Sequence, residues 1–135
     1  MKKDKTFISI LKKITRDIPC AGNQTLASCI VKGNRVISFG HNKRKTHPLQ
    51  TKFAKNPEAI YLHAEIDAIK NALKEVDSSL LEQCTMYIAR TKKNGDEGMS
   101  KPCKGCKKAI EAFGIRRVIY TTEEENIYGE MERKR

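Results

Sequence analysis

Apolar positions in this 135-residue chain follow two rhythms. Phe7, Ile10, Leu11 and Ile14 recur at helical spacing, with Lys12, Lys13, Arg16 and Asp17 on the other face. That spacing predicts an amphipathic helix over Thr6–Ile18, ended by Pro19. Leu26–Lys32 and Arg35–Gly40 are β-rich runs joined by Gly33-Asn34, the pattern of a hairpin with a tight primed turn. Residues 41–56 are basic, contain Pro48, lack a period, and read as a long loop. A second helix, opening between Pro57 and Ile60 and closing at Val76, places Ile66, Ile69, Leu73 and Val76 in one stripe. Thr85–Ala89 is the third strand, and Thr91–Ser100 a polar turn broken by Gly95 and Gly98. A third helix holds Pro102 in its first turn, turns Ile110 and Phe113 inward, and stops at Gly114. Arg117–Thr121 is the fourth strand, and the charged tail 123–135 reads as a short helix or a frayed end.

Helical connections between the later strands imply parallel neighbours and a layered α/β arrangement. The length fits one domain, residues 1–135, with one core. No apolar stretch approaches a membrane span, and no apolar segment follows the basic N-terminus, so neither a membrane anchor nor a secretory signal is expected. Five unevenly spaced cysteines argue against a disulfide framework and for a reducing compartment such as the cytoplasm. Cys20, Cys29 and Cys84 read as small apolar residues. The net charge of +11 favours anionic ligands, either nucleotides or nucleic acid, although lysine-rich faces are often simply solvated.

Two motifs carry chemistry. His63-Ala64-Glu65 and Pro102-Cys103-Lys104-Gly105-Cys106 fall at the starts of the second and third helices. First-turn side chains tilt toward a helix N-terminus, so residues from two helices can converge beyond both ends. One imidazole and two thiolates leave a tetrahedral zinc ion one open position for water. The carboxylate of Glu65 is left over, and a hydrolytic site needs one for proton transfer. Alone, the Cys-x-x-Cys pair could be a redox couple or half of a structural zinc site.

In this arrangement the chain resembles the cytidine and deoxycytidylate deaminase superfamily, most closely its small bacteriophage members. The resemblance runs from the first hairpin to Tyr120. It rests on Gly40-His41-Asn42, His63-Ala64-Glu65, Pro102-Cys103-Lys104-Gly105-Cys106 and Arg116-Arg117-Val118-Ile119-Tyr120. It implies a three-layer α/β/α cytidine-deaminase-like fold around a mixed sheet of about five strands. It also implies zinc on His63, Cys103 and Cys106, with Glu65 as general acid and base. Asn42 would hold a sugar hydroxyl or base edge, and the Ala64 backbone N–H would meet the base carbonyl. The expected reaction is hydrolytic deamination of a cytosine nucleotide or nucleoside, dCMP to dUMP and ammonia first among them. The family commonly assembles, so a homo-oligomer is expected. Asp67 stands where deoxycytidylate deaminases commonly carry asparagine, and the segment Thr91–Lys101 is longer than a usual connection to the first cysteine. Arg44 and Lys45, just after Asn42, are candidates for a substrate 5′-phosphate, against the alternative of a solvated basic loop. Two rival functions are an RNA or tRNA adenosine or cytidine deaminase and a non-catalytic zinc-stabilised nucleic-acid-binding module.

Overall fold

A computed structural model describes residues 2–17, 24–43, 48–53, 62–92 and 94–132. The expected loop residues Arg44, Lys45 and His47, residues 57–60 and Cys20 lie outside the described residues. The second expected helix opens at Ala64, later than its periodicity implies, because Leu62 pairs with Lys43 in an extended bridge and His63 is an extended N-cap. Four α-helices, α1 (Lys2–Asp17), α2 (Pro48–Phe53), α3 (Ala64–Ala72) and α4 (Lys104–Ala112), and a 3₁₀ helix at Ser78–Gln83 accompany six strands among them. The strands are β1 (Gln24–Lys32), β2 (Arg35–His41), β3 (Thr85–Lys92), β4 (Glu97–Gly98), β5 (Arg117–Thr121) and β6 (Tyr128–Glu132).

The sheet order is β2-β1-β3-β5-β6, with β4 added to the end of β3. β1 is antiparallel to both β2 and β3, whereas β3 and β5, joined through α4, run parallel. Side chains alternate along the strands, so each face of the sheet meets its own helical layer. Ile30, Met86, Ile88, Val118 and Tyr120 pack with α3 and α4 on one face. Ala27, Cys29, Val31, Tyr87, Ala89 and Ile119 pack under α1 on the other. This is the expected three-layer architecture around a mixed sheet.

The hairpin forms as expected, with Lys32 opposite Arg35. Gly33 has φ +62°, a conformation open to glycine at little steric cost. Several details differ from the periodicity. In α1 the buried stripe is Asp4, Phe7, Ile8, Leu11 and Thr15, and Ile10 is 38% exposed. Asp4 earns its place by bonding Tyr87 and Arg117: the Tyr87 hydroxyl donates to it at 2.7 Å, and two Arg117 nitrogens lie at 2.9 and 3.2 Å. α3 ends at Ala72, leaving Leu73 38% exposed, because Lys74, Glu75 and Val76 continue as a turn. The loop after β2 contains the short α2. Pro102 precedes α4 rather than lying in its first turn, since Cys103 is the N-cap. α4 closes as expected: Gly114 at φ +72° lets the Ile115 N–H reach the Ile110 carbonyl at 3.2 Å and its own N–H reach Glu111 at 3.1 Å. The charged tail forms β6 because Glu130 accepts a bond from Arg117 across the β5–β6 pair. No helix among the described residues is long and apolar enough to cross a membrane.

Candidate zinc centre and active-site pocket

The two motifs meet where the N-termini of α3 and α4 converge, beside the C-terminal ends of β3 and β5. His63 is the N-cap of α3 and Cys103 the N-cap of α4, and neither makes a side-chain cap bond. Their side chains therefore face the site instead of their own helices.

Polar bonds and one close approach hold α3 in place. A Cβ on Gly40 would lie 2.3 Å from the Ala68 nitrogen and 2.5 Å from the Ala64 carbonyl oxygen, so only glycine lets β2 come this near. The Ser28 hydroxyl donates to the Ala64 carbonyl at 2.7 Å, and Ser38 to that of Ala68 at 2.8 Å. Asp67, fully buried, accepts from the His41 N–H at 3.1 Å and pairs with Lys43 and Lys70 at 2.9 Å. Burial pushes its carboxyl up, but Lys70, Lys43 and the His41 N–H outweigh that and hold it below its ordinary value. The departure from asparagine thus serves as a charged pin between α3, the end of β2 and the pocket-lining Lys43.

The approach to α4 is secured by hydroxyls. The Ser100 hydroxyl donates to the Ile88 carbonyl at 3.1 Å and accepts from the Thr121 N–H at 2.8 Å. The Thr121 hydroxyl in turn donates to the Gly98 carbonyl at 2.7 Å. This ties the segment before Cys103 to both parallel strands.

His63 Nδ1 lies 3.2 Å from Cys106 Sγ and 3.6 Å from Cys103 Sγ. The three donor atoms all lie within 4.8 Å of one another, and no fourth His, Cys, Asp or Glu among the described residues joins them. One imidazole nitrogen and two sulfurs suit zinc, and three protein ligands leave it an open position. The residues fit the metal. Bonds from Cys106 and His63 pull the exposed Cys103 thiol down to about 3. Cys106, deeper in the site, is pushed up by that sulfur and by burial. His63 is raised by its bond to Cys103. Cys29, Cys84, Cys103 and Cys106 are all free thiols.

Glu65 is 4% exposed, and burial raises its carboxyl against the lowering effects of a backbone bond and the charge on His63. A cavity of about 330 Å³ opens over this end, with His63, Ala64, Glu65 and Cys103 on one side and Asn42, Arg90 and Lys101 also lining it. Asn42 is tied to the neighbouring strand: its Oδ1 accepts from the Leu26 N–H on β1 at 3.0 Å. The Ala64 N–H, first in α3, has no acceptor within its helix.

Residues 1–122 match the cytidine and deoxycytidylate deaminase zinc-binding region. The chain belongs to this family. Members of the family are hydrolytic deaminases, and its zinc-binding region contains the His63, Cys103 and Cys106 cluster. A tRNA-specific adenosine deaminase of Aquifex aeolicus (strain VF5) is 29% identical over 100 residues, 74% of this chain and 53% of that protein. The chain thus spans about half the length of the curated relative it matches. Among solved structures, dCMP deaminase from the cyanophage S-TIM5, crystallised with dCMP and dUMP, aligns with a TM-score of 0.63 at 18% identity. That alignment covers 93% of this chain and 85% of the phage protein. RibD of Acinetobacter baumannii aligns at 0.56 and 16% identity over 90% of this chain and 28% of its own. At such identities these likenesses establish the shared fold.

Of the residues singled out from the sequence, Asn42, His63, Ala64, Glu65 and Cys103 line one cavity, and Cys106 lies beside His63 and Cys103. Sequence reasoning missed Arg90, Ser100 and Lys101. Arg90 had a signal: it continues the inward-facing series Met86, Ile88 along β3, where a cation is out of place unless it has work at the strand end.

Proposed function

We propose that this chain is a zinc-dependent hydrolytic deaminase of a cytosine nucleotide or nucleoside, converting dCMP to dUMP and ammonia. The observation that carries the reading is a buried carboxylate, Glu65, beside a three-donor zinc site at the end of a small-molecule-sized cavity. At about 330 Å³ the cavity sits near the lower end of the usual range for such ligands, about 300–1,000 Å³.

His63, Cys103 and Cys106 would hold the metal. Bound there, zinc supplies the Lewis acidity that makes water nucleophilic near neutral pH. Glu65 then takes a proton from the attacking water and passes it to the pyrimidine ring nitrogen. It moves a second proton to the exocyclic amine, so the C–N bond breaks with ammonia as the leaving group. Burial suits Glu65 to this shuttle, because a carboxyl raised above its ordinary value is a stronger base toward the attacking water than an exposed one. Ala64 and Asn42 both line the cavity, which supports a bond from the Ala64 N–H to the base carbonyl and from Asn42, held by the Leu26 N–H, to the sugar or base edge.

A second reading, deamination of a base in RNA, is supported by the charge of +11 and by the Aquifex relative. Ammonia release from cytosine and adenine nucleosides, nucleotides and tRNA, with and without chelator, separates the readings. The expected result is chelator-sensitive turnover of dCMP with little dependence on salt. Turnover confined to tRNA, with affinity falling steeply as salt rises, would replace the first reading by the second.

A further inference from the structure

One wall of the cavity is built by the long connection between β3 and α4, which contributes Arg90, Met99, Ser100 and Lys101 to the lining. Arg90 stands on β3 beside its register partners Leu26 on β1 and Gly98 on β4. Its side chain lies across Gly98: a Cβ there would come within 2.9 Å of Arg90 Cδ and 3.1 Å of Nε. One guanidinium nitrogen, Nη1, donates to the Met99 carbonyl at 3.2 Å, which orients the fork. Arg90 Nε is buried and has no hydrogen-bond partner. A buried N–H without an acceptor is costly, so a ligand that supplies one is favoured.

The surrounding charges strengthen the case. Lys43, also in the cavity lining, is held by Asp67, a carboxylate it shares with Lys70. Glu123, whose carboxylate feels the charge on Arg90, is paired with Lys92 and accepts from the Met99 N–H. Among the described residues, Arg90 and Lys101 form no ion pair, and both line the cavity. Glu65 is the carboxylate in the lining, and it sits at the metal end. The pocket therefore has a proton-handling end and a cationic wall.

We propose that Arg90, with Lys101 beside it, is the phosphate subsite of this pocket and selects nucleoside monophosphates over nucleosides. The inference rests on the nucleotide-deaminase reading above. It assigns the phosphate to the β3–β4 hairpin, not to the Arg44-Lys45 segment. An arginine fork matches a phosphate in two-point geometry, and charge-assisted bonds are about twice as strong as neutral ones. The described cavity, about 330 Å³, is of small-molecule size, which favours a mononucleotide over a polynucleotide backbone.

The test compares wild type, Arg90→Ala, Arg90→Lys and Lys101→Ala, all zinc-loaded. The ratio of kcat/KM for dCMP to that for deoxycytidine should fall about 10- to 100-fold in Arg90→Ala, and less in Lys101→Ala and Arg90→Lys. Calorimetric binding of dCMP against deoxycytidine, and of AMP against adenosine, gives a readout independent of turnover. The nucleotide should bind more tightly than its nucleoside in wild type, and that increment should shrink in Arg90→Ala. An unchanged increment, or none in wild type, overturns the subsite. A preserved increment sensitive to Arg90 in a protein that deaminates neither cytosine ligand would leave the subsite standing and remove the dCMP reading. Loss confined to single-stranded oligonucleotides would assign the wall to a polynucleotide and overturn the proposal.

Discussion

Replacing Asp67 tests whether the charged pin positions the pocket. Asp67→Ala removes the acceptor of the His41 N–H and the partner of two lysines. Breaking a buried pair by deleting one side costs about 3–5 kcal/mol, mostly from the charge left behind. Here the lysine side chains are 25% and 18% exposed and can turn toward water, which lowers the expected loss to about 2–4 kcal/mol. Unfolding entropy of about 2.1 cal/mol/K per residue over 135 residues gives about 0.28 kcal/mol/K, hence a Tm drop of about 7–14 °C. Asp67→Asn keeps an acceptor for His41 but no charge for the lysines, and should lose roughly half as much. The pH dependence follows from the direction of the shift. The folded carboxyl lies below its unfolded value near about 3.9, so its stabilisation is complete above that value. It disappears as pH falls through the folded value. Thermal melts followed by circular dichroism at neutral and acid pH give both numbers. A Tm for Asp67→Ala within about 2 °C of wild type at neutral pH, or a gap that widens on acidification, would refute the reasoning.

Glu65→Gln should reduce kcat by at least about 10²-fold while zinc content, measured by atomic emission, stays at one ion per chain. Cys106→Ser should lower zinc content and activity together, because it removes a ligand rather than the shuttle. Gly40→Ala drives a methyl into the α3 backbone, and should cost about 1–3 kcal/mol in denaturant unfolding and lower kcat by shifting His63 and Glu65. Asp4→Asn should destabilise at neutral pH. Burial raises the Asp4 carboxyl, but Arg117 and Tyr87 outweigh it and hold it low. The difference from wild type should therefore vanish as pH falls below about 4.

What was legible in the sequence was whatever depends on local rhythm and punctuation. The hairpin around Gly33, the stop at Gly114 and strand Arg117–Thr121 follow from turn chemistry and β-branched runs, and each stands where expected. The zinc ligands were legible because both motifs needed a helix start, and both have one. Long-range partners were not. Ile10 fits the helical stripe of α1 as well as Ile8 does, and only the sheet beneath decides between them. The tail looked too charged for a strand because Glu130 finds its counterion, Arg117, on a neighbouring strand. Arg90 joins the pocket through β4, a two-residue strand too short to announce itself. Asp67 read as a departure from asparagine, and its three donors come from β2 (His41), from Lys43 just beyond that strand, and from α3 itself (Lys70).

The hydroxyl and glycine contacts that fasten α3 and the run-up to α4 have a consequence for assembly. His63, Cys103 and Cys106 stand on scaffolding braced by two buried cores, none of which passes through the ion. Metal loading is therefore expected to follow folding rather than drive it, unlike the coupled collapse of a zinc finger. Stripped of its ion, the polypeptide should keep its shape and merely fall silent, ready to be re-armed.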